Sequence, residues 1–224
     1  MGITTFGIPG EIVMELSRLN NVSVFVETGT FHGGTTRWAS EYFDSVFTIE
    51  CAKSLYDLHN EELARCKGVK PLLGDSREML PSVLREIGSQ RAVFWLDGHW
   101  SGGETAGIDE ECPVLEELAC LSDRTDDIVL IDDARLFLCV PPEPHRPSDW
   151  PTIGEIVEVI LGWKSRSYIQ IIDDVIFVVP NKDSLKQCLV DYARKRARKG
   201  GKARWRLSFS KDKNRDRTRV GKNF

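Results

Sequence analysis

Two periodicities of apolar residues alternate along this chain. Ile12, Leu16 and Leu19 recur at helical spacing within residues 9–19 and predict an amphipathic opening helix. The next run, Val22-Ser-Val-Phe-Val26, is rich in β-branched and aromatic residues, as a buried strand is. It stops at Glu27, before the turn residues Thr28-Gly29-Thr30-Phe31-His32-Gly33. Gly29 and Gly33 let that backbone turn sharply and approach a ligand. A helix starting at Gly34 would present free N–H groups and a partial positive charge to the same ligand. The alternation continues, with strands predicted at 45–50, 69–73, 91–96 and 127–131 and helices opening within 34–42 and spanning 53–66, 76–87 and 110–121. Pro81 marks a kink or a later start in the third of these helices.

Five rounds of strand and helix imply a parallel sheet covered by helices on both faces. The pattern then breaks. Residues 167–172 and 175–180 are apolar strands separated only by Asp173-Asp174, too short a link for a crossover helix, and they predict an antiparallel hairpin. The expected fold class is α/β: a doubly wound, mostly parallel, seven-stranded sheet closed by an antiparallel hairpin strand. Residues 134–151 hold five of the ten prolines and read as a long loop, followed by helices at 152–161 and 184–196.

Composition narrows the setting. No apolar run approaches the roughly 18 residues of a membrane span, and the first residues lack the basic and apolar regions of a signal peptide. Six cysteines without a Cys-x-x-Cys pair signal neither a zinc site nor a disulfide framework, so a reducing, cytoplasmic setting is expected. The net charge of -4 conceals an asymmetry. Residues 1–193 carry 16 Lys and Arg against 32 Asp and Glu, whereas residues 194–224 carry 14 against 2. An acidic domain, 1–193, thus bears a basic tail, 194–224. Such a tail either extends as a flexible, solvated segment or meets nucleic acid or another polyanion through phosphate contacts and stacking.

The acids are not scattered. Glu27, Glu50, Asp97 and Asp132 each end an apolar strand, and Asp75 lies just past another. In a parallel sheet these ends share one rim, where such folds bind ligands. A single acid there is equally well explained as a helix cap; five in register point to a site. Glu50 follows Gly29 by 21 residues, about the spacing of a ribose-binding acid in a dinucleotide fold. Phe31, however, stands where that fingerprint needs its second glycine to admit a pyrophosphate. A ligand with a ribose and no pyrophosphate fits better.

On these residues the chain resembles a class I S-adenosylmethionine-dependent methyltransferase over residues 1–180. Glu27-Thr-Gly29-Thr-Phe-His-Gly33 matches that family's acidic-x-Gly-x-x-x-Gly motif, and the closing hairpin matches its reversed last strand. The resemblance implies that Glu27, Gly29, Thr30, His32 and Gly33 hold the methionine part of the cofactor. It implies Glu50 for the ribose hydroxyls, and Asp75 with Ser76 for the adenine edge. Phe94-Trp-Leu-Asp97-Gly-His99-Trp100 and Val129-Leu-Ile-Asp132-Asp133 are similar to segments of the metal-dependent O-methyltransferases, both the catechol type and the macrocin-type sugar enzymes. That similarity implies Mg²⁺ on Asp97, Asp132 and Asp133, holding a hydroxyl of a small acceptor for methyl transfer.

His99 is the candidate general base, an imidazole being able to accept a proton near neutral pH; it is equally open to a loop-orienting role. Ser101 and Arg135 replace residues that carry a base in some of those enzymes. Glu104, His145 and Trp150 are candidate acceptor contacts on the loops above the rim. Two readings stand beside O-methylation: a catalytically silent methyltransferase fold that engages nucleic acid through its tail, and an RNA methyltransferase.

Overall fold

The computed structural model describes residues 7–100 and 110–209, with side chains described as far as residue 198. The opening helix α1 (Gly10–Asn20) is followed by β1 (Val24–Thr28), α2 (Gly34–Tyr42), β2 (Ser45–Glu50), α3 (Lys53–Leu63), β3 (Val69–Leu73), α4 (Ser76–Ile87) and β4 (Ala92–Leu96). The second half runs α5 (Val114–Cys120), β5 (Ile128–Ile131), α6 (Ala134–Leu138), a 3-10 turn (Pro147–Asp149), α7 (Ile153–Leu161), β6 (Ser167–Ile172), β7 (Val175–Pro180) and α8 (Asp183–Phe209).

The strands form one seven-stranded sheet in the order β3-β2-β1-β4-β5-β7-β6. The first five are parallel, and β7 enters antiparallel between β5 and β6. Alternate strand residues point to opposite faces, and each face has its own core. Val24, Val26, Phe94, Val129 and Ile176 pack with Leu80 and Val83 of α4, Leu118 of α5 and Ile156 and Ile160 of α7. Phe25, Val46, Trp95, Leu130 and Phe177 pack with Ile12, Val13 and Leu16 of α1, Ala39 of α2, Leu63 of α3 and Leu185 and Leu189 of α8. The doubly wound expectation and its antiparallel closure are both met. No helix among the described residues is long and apolar enough to cross a membrane.

Three departures have local causes. Helix α5 starts at Val114 rather than at residue 110, because Pro113 has no N–H to continue a helix from upstream but is well suited to precede one. The stretch expected to be a loop from Ala134 contains α6, whose Ala134, Leu136 and Phe137 are buried on an apolar stripe. Helix α8 continues to Phe209, past the expected end near Arg196, since Lys, Arg and Ala favour helix. The basic segment 194–224 therefore begins inside a helix; its residues 210–224 lie outside the described residues.

Candidate functional site

The end of β1 is built from inside outwards. The Glu27 side chain turns beneath the loop, where it accepts hydrogen bonds from Thr36 Oγ1 (2.5 Å) and Thr48 Oγ1 (2.8 Å). Burial pushes its carboxyl up to about 7 despite those donors. Thr30 Oγ1 pairs with Thr48 Oγ1 at 2.6 Å. Glu27 and Thr30 are thus buried struts joining β1, α2 and β2, rather than cleft-lining groups. Gly29 sits at φ 82°, and a Cβ there would stand 2.2 Å from the Asp97 carbonyl oxygen, so the β1 and β4 ends meet only because this residue is glycine. Gly33, at φ 70°, precedes α2. His32 turns away from the cleft, with Nδ1 3.0 Å from His59 Nε2 on α3.

A cleft enclosing about 680 Å³, part of it open to solvent, lies over the rim. Gly29, Phe31, Ile49, Glu50, Gly74 and Ser76 line one side, and Asp97, Gly98 and His99 the other. Glu50 is buried, and its two oxygens accept from the backbone N–H groups of Phe31 (2.9 Å) and Ala52 (2.8 Å). Each oxygen keeps a further lone pair for a ligand hydroxyl. Phe31 lies at φ 48° and exposes its ring over the cleft.

Asp75 departs from its expected place. It caps α4 and is engaged by Arg77, through the backbone N–H (2.9 Å), Nε (3.0 Å) and Nη2 (2.6 Å), and that guanidinium holds its carboxyl below the usual range. Ser76 is the member of this pair that lines the cleft. Beneath it lies Glu117 of α5, whose carboxyl is pushed by burial to about 7, with the Ser76 and Thr28 hydroxyls opposing the shift, and whose Oε1 has no hydrogen-bond partner among the described residues. Sequence reasoning missed Glu117. The available signal was an acid on the Val114, Glu117, Leu118 stripe, where a short helix presents its apolar face.

The β4 and β5 ends crowd four ionisable groups. His99 is buried, with Nε2 3.0 Å from Asp133 Oδ2 and Nδ1 3.8 Å from Asp97 Oδ1. Burial opposes the imidazolium, but the Asp133 hydrogen bond and the Asp97 charge raise the imidazole's pKa overall. Burial raises Asp97 and Asp132 as well, with neighbouring carboxylates adding to it. Asp133 is held low in spite of its burial, because His99 and Arg135 both engage it.

The magnesium expectation does not fit this donor set. Asp133 adopts φ 56°, which turns its carboxylate to His99 and to Arg135 Nη1 at 2.6 Å, and Arg135 is braced in turn by Asp174. Asp132 Oδ1 accepts from the Asp133 N–H at 2.8 Å. Among the described residues no three His, Cys, Asp or Glu side chains are placed to share a cation.

His145 and Trp150 lie beside the rim, with ring centroids 5.5 Å from Trp100 and 5.2 Å from His99 respectively, but Trp150 is buried and neither is among the residues that line the cleft. Glu104 lies outside the described residues.

Comparison with protein-family models gives no match, and a search of curated proteins gives no relative. Many solved structures are similar, and two serve as examples. The first is the O-methyltransferase TomG from Streptomyces achromogenes, involved in tomaymycin synthesis and solved in complex with S-adenosylmethionine. It is 17% identical, with 79% of this chain and 82% of that chain covered and a TM-score of 0.53. The second is a protein proposed to be a caffeoyl-CoA O-methyltransferase, from Staphylococcus aureus. It is 15% identical, with 79% and 86% covered and a TM-score of 0.52. These likenesses show that the chain has the Rossmann-like fold of class I methyltransferases.

Proposed function

We propose that this protein is an S-adenosylmethionine-dependent methyltransferase that methylates a hydroxyl of a small acceptor. The observation that carries the reading is the cleft at the topological switch point, where the strand order reverses between β1 and β4. One wall of that cleft offers Glu50, and the other ends at His99. When bound, the cofactor supplies an electrophilic methyl group. Glu50 would hold the ribose hydroxyls with its remaining lone pairs, and Ser76 would meet the adenine edge. Asp75 has no part in this, because Arg77 engages its carboxylate. Gly29 and Gly98 give the cleft bare backbone walls between the two halves.

On the acceptor side, His99 would take the hydroxyl proton at Nδ1 while Nε2–H donates to Asp133, the tautomer that this hydrogen bond favours. Asp97 would help to orient the hydroxyl. No step runs through magnesium, since Arg135 and His99 already engage Asp133. The base form of His99 is the neutral one and its pKa is raised, so transfer should increase as pH rises through that raised value.

Calorimetric titration with S-adenosylmethionine, S-adenosylhomocysteine and NAD tests the cofactor, and labelled methyl transfer to a panel of catechols and vicinal diols tests the reaction. Tighter binding of NAD would sink the reading. A second reading, a silent fold that engages RNA, draws on the 14 Lys and Arg against 2 acids in residues 194–224. RNA binding that weakens steeply with salt, in a protein that transfers no methyl group to any acceptor, would favour it.

A further inference from the structure

Glu111 carries no recognisable motif and is 1% exposed. Its Oε2 accepts from Trp150 Nε1 at 2.7 Å and from His145 Nδ1 at 3.0 Å, and its Oε1 accepts from the Arg146 backbone N–H at 3.0 Å. Its own carbonyl accepts from the Trp100 N–H at 2.7 Å. One residue therefore ties the proline-rich segment that follows α6 to the strand-end segment that contains His99.

The connection ends on the imidazole. Trp150 is buried, lies 5.2 Å from the His99 ring at an interplanar angle of 61°, and is backed by Phe137 at 5.5 Å. His145 sits between Trp150 (5.1 Å) and Trp100 (5.5 Å), filling the space beside them. The hydrogen bond from Nε2 to Asp133 locates His99 but does not by itself set its ring plane, because χ2 of histidine is a broad, roughly two-fold torsion. Besides the Asp97 carboxylate, 3.8 Å from Nδ1, an edge-to-face aromatic neighbour restrains the ring plane. That neighbour stands on a segment rich in proline and poor in regular structure, so its own position depends on what holds the indole. The carboxylate of Glu111 does this through a charge-assisted hydrogen bond in a buried setting.

We propose that Glu111 is a positioning residue, acting through Trp150 to fix the orientation of the His99 imidazole at the rim of the cleft. The role matters for catalysis only under the methyltransferase reading above, in which Nδ1 of His99 must face the acceptor. The geometry of Glu111, Trp150 and His99 can be tested without knowing that acceptor.

The experiment uses the full chain with ¹⁵N-labelled histidine and tryptophan, and follows the imidazole nitrogens of His99 and the indole N–H of Trp150. Two variants separate the links. Glu111→Gln keeps a carbonyl acceptor and removes the charge; Trp150→Phe keeps a ring and removes the N–H. The expected result is that both variants shift the His99 imidazole signals, that Glu111→Gln also shifts the Trp150 indole signal, and that S-adenosylhomocysteine affinity stays within about threefold of wild type. A role confined to stability would lower the melting temperature and leave the His99 signals in place, and that outcome overturns the proposal. Should Glu111→Gln fail to fold, Glu111→Asp, which keeps the charge but draws the carboxylate back from the indole, takes its place, and unchanged His99 signals in that variant overturn the proposal. Failure of the wild-type protein to bind S-adenosylhomocysteine would remove the methyltransferase reading, while the His99 spectra would still decide the role of Glu111.

Discussion

The two halves of the rim hold their acids by different means. On the β1–β2–β3 side, Glu27 and Glu50 are surrounded by neutral donors, namely threonine hydroxyls of β2 and α2 and backbone N–H groups of the segments that follow β1 and β2. On the β4–β5 side, Asp97, Asp132 and Asp133 face one another with His99 and Arg135 among them, and partners come from as far along the chain as Trp150 and Asp174. Around Glu27 and Glu50 the first half is quiet, made of hydroxyls and backbone, with the Asp75–Arg77 ion pair at its far end, as the proposed nucleoside seat requires. In the second half ionisation states depend on close neighbours, as suits moving a proton. The contrast predicts that substitutions should separate cofactor affinity from transfer.

The largest effect should follow His99→Gln, with transfer from labelled S-adenosylmethionine down by about 10²–10⁴ if His99 is the base. Affinity for S-adenosylhomocysteine, read by calorimetry, should hold. Equal losses in both would erase the division between the halves. Next is Gly29→Ala, at the point where the halves touch: the positive φ and the approach to the Asp97 carbonyl should cost about 3 kcal/mol or more in urea denaturation. An undisturbed stability would mean that the β1 and β4 ends are not in this contact.

The quiet half has its own pH signature. Glu27 holds its proton up to about pH 7 when folded but releases it near 4.5 when unfolded, so its contribution to stability falls as pH rises through that window. Glu27→Gln cannot ionise, and between pH 5 and pH 8 it should gain on wild type by an amount on the order of 3 kcal/mol. A parallel pair of stability curves would show that Glu27 titrates normally. A smaller effect, about 1.5–3 kcal/mol or roughly 10- to 150-fold in affinity, is expected for S-adenosylhomocysteine binding to Glu50→Ala. Smallest is Thr152→Ala, which removes the capping box of α7 beside the Trp150 segment. It should lower stability by about 1 kcal/mol and leave cofactor affinity unchanged.

Much of this architecture was legible from local pattern. The bounds of β2, β3, β6, β7 and α4, and the start of α2, follow from runs whose apolar residues and turns are local. Glu50 was readable because spacing in a βαβ unit determines which strand end an acid occupies. Asp75 and Asp133 show where such reading stops. Each was placed at the correct strand end, yet each side chain is claimed by an arginine two residues away, Arg77 or Arg135. A one-dimensional pattern shows that an acid reaches the rim but not which way it turns.

By itself, then, the amino-acid sequence determined the alternation of strands and helices, the reversed closing hairpin and the rim on which the acids gather, because these depend on periodicity and on turn chemistry within a few residues. The tertiary structure alone decided which acids face the cleft, that Asp133 is paired with His99 and Arg135, and that Glu111 and Glu117 lie buried beneath the site. Those outcomes depend on contacts between segments tens of residues apart, where burial and a competing cation reassign a carboxylate that local spacing cannot.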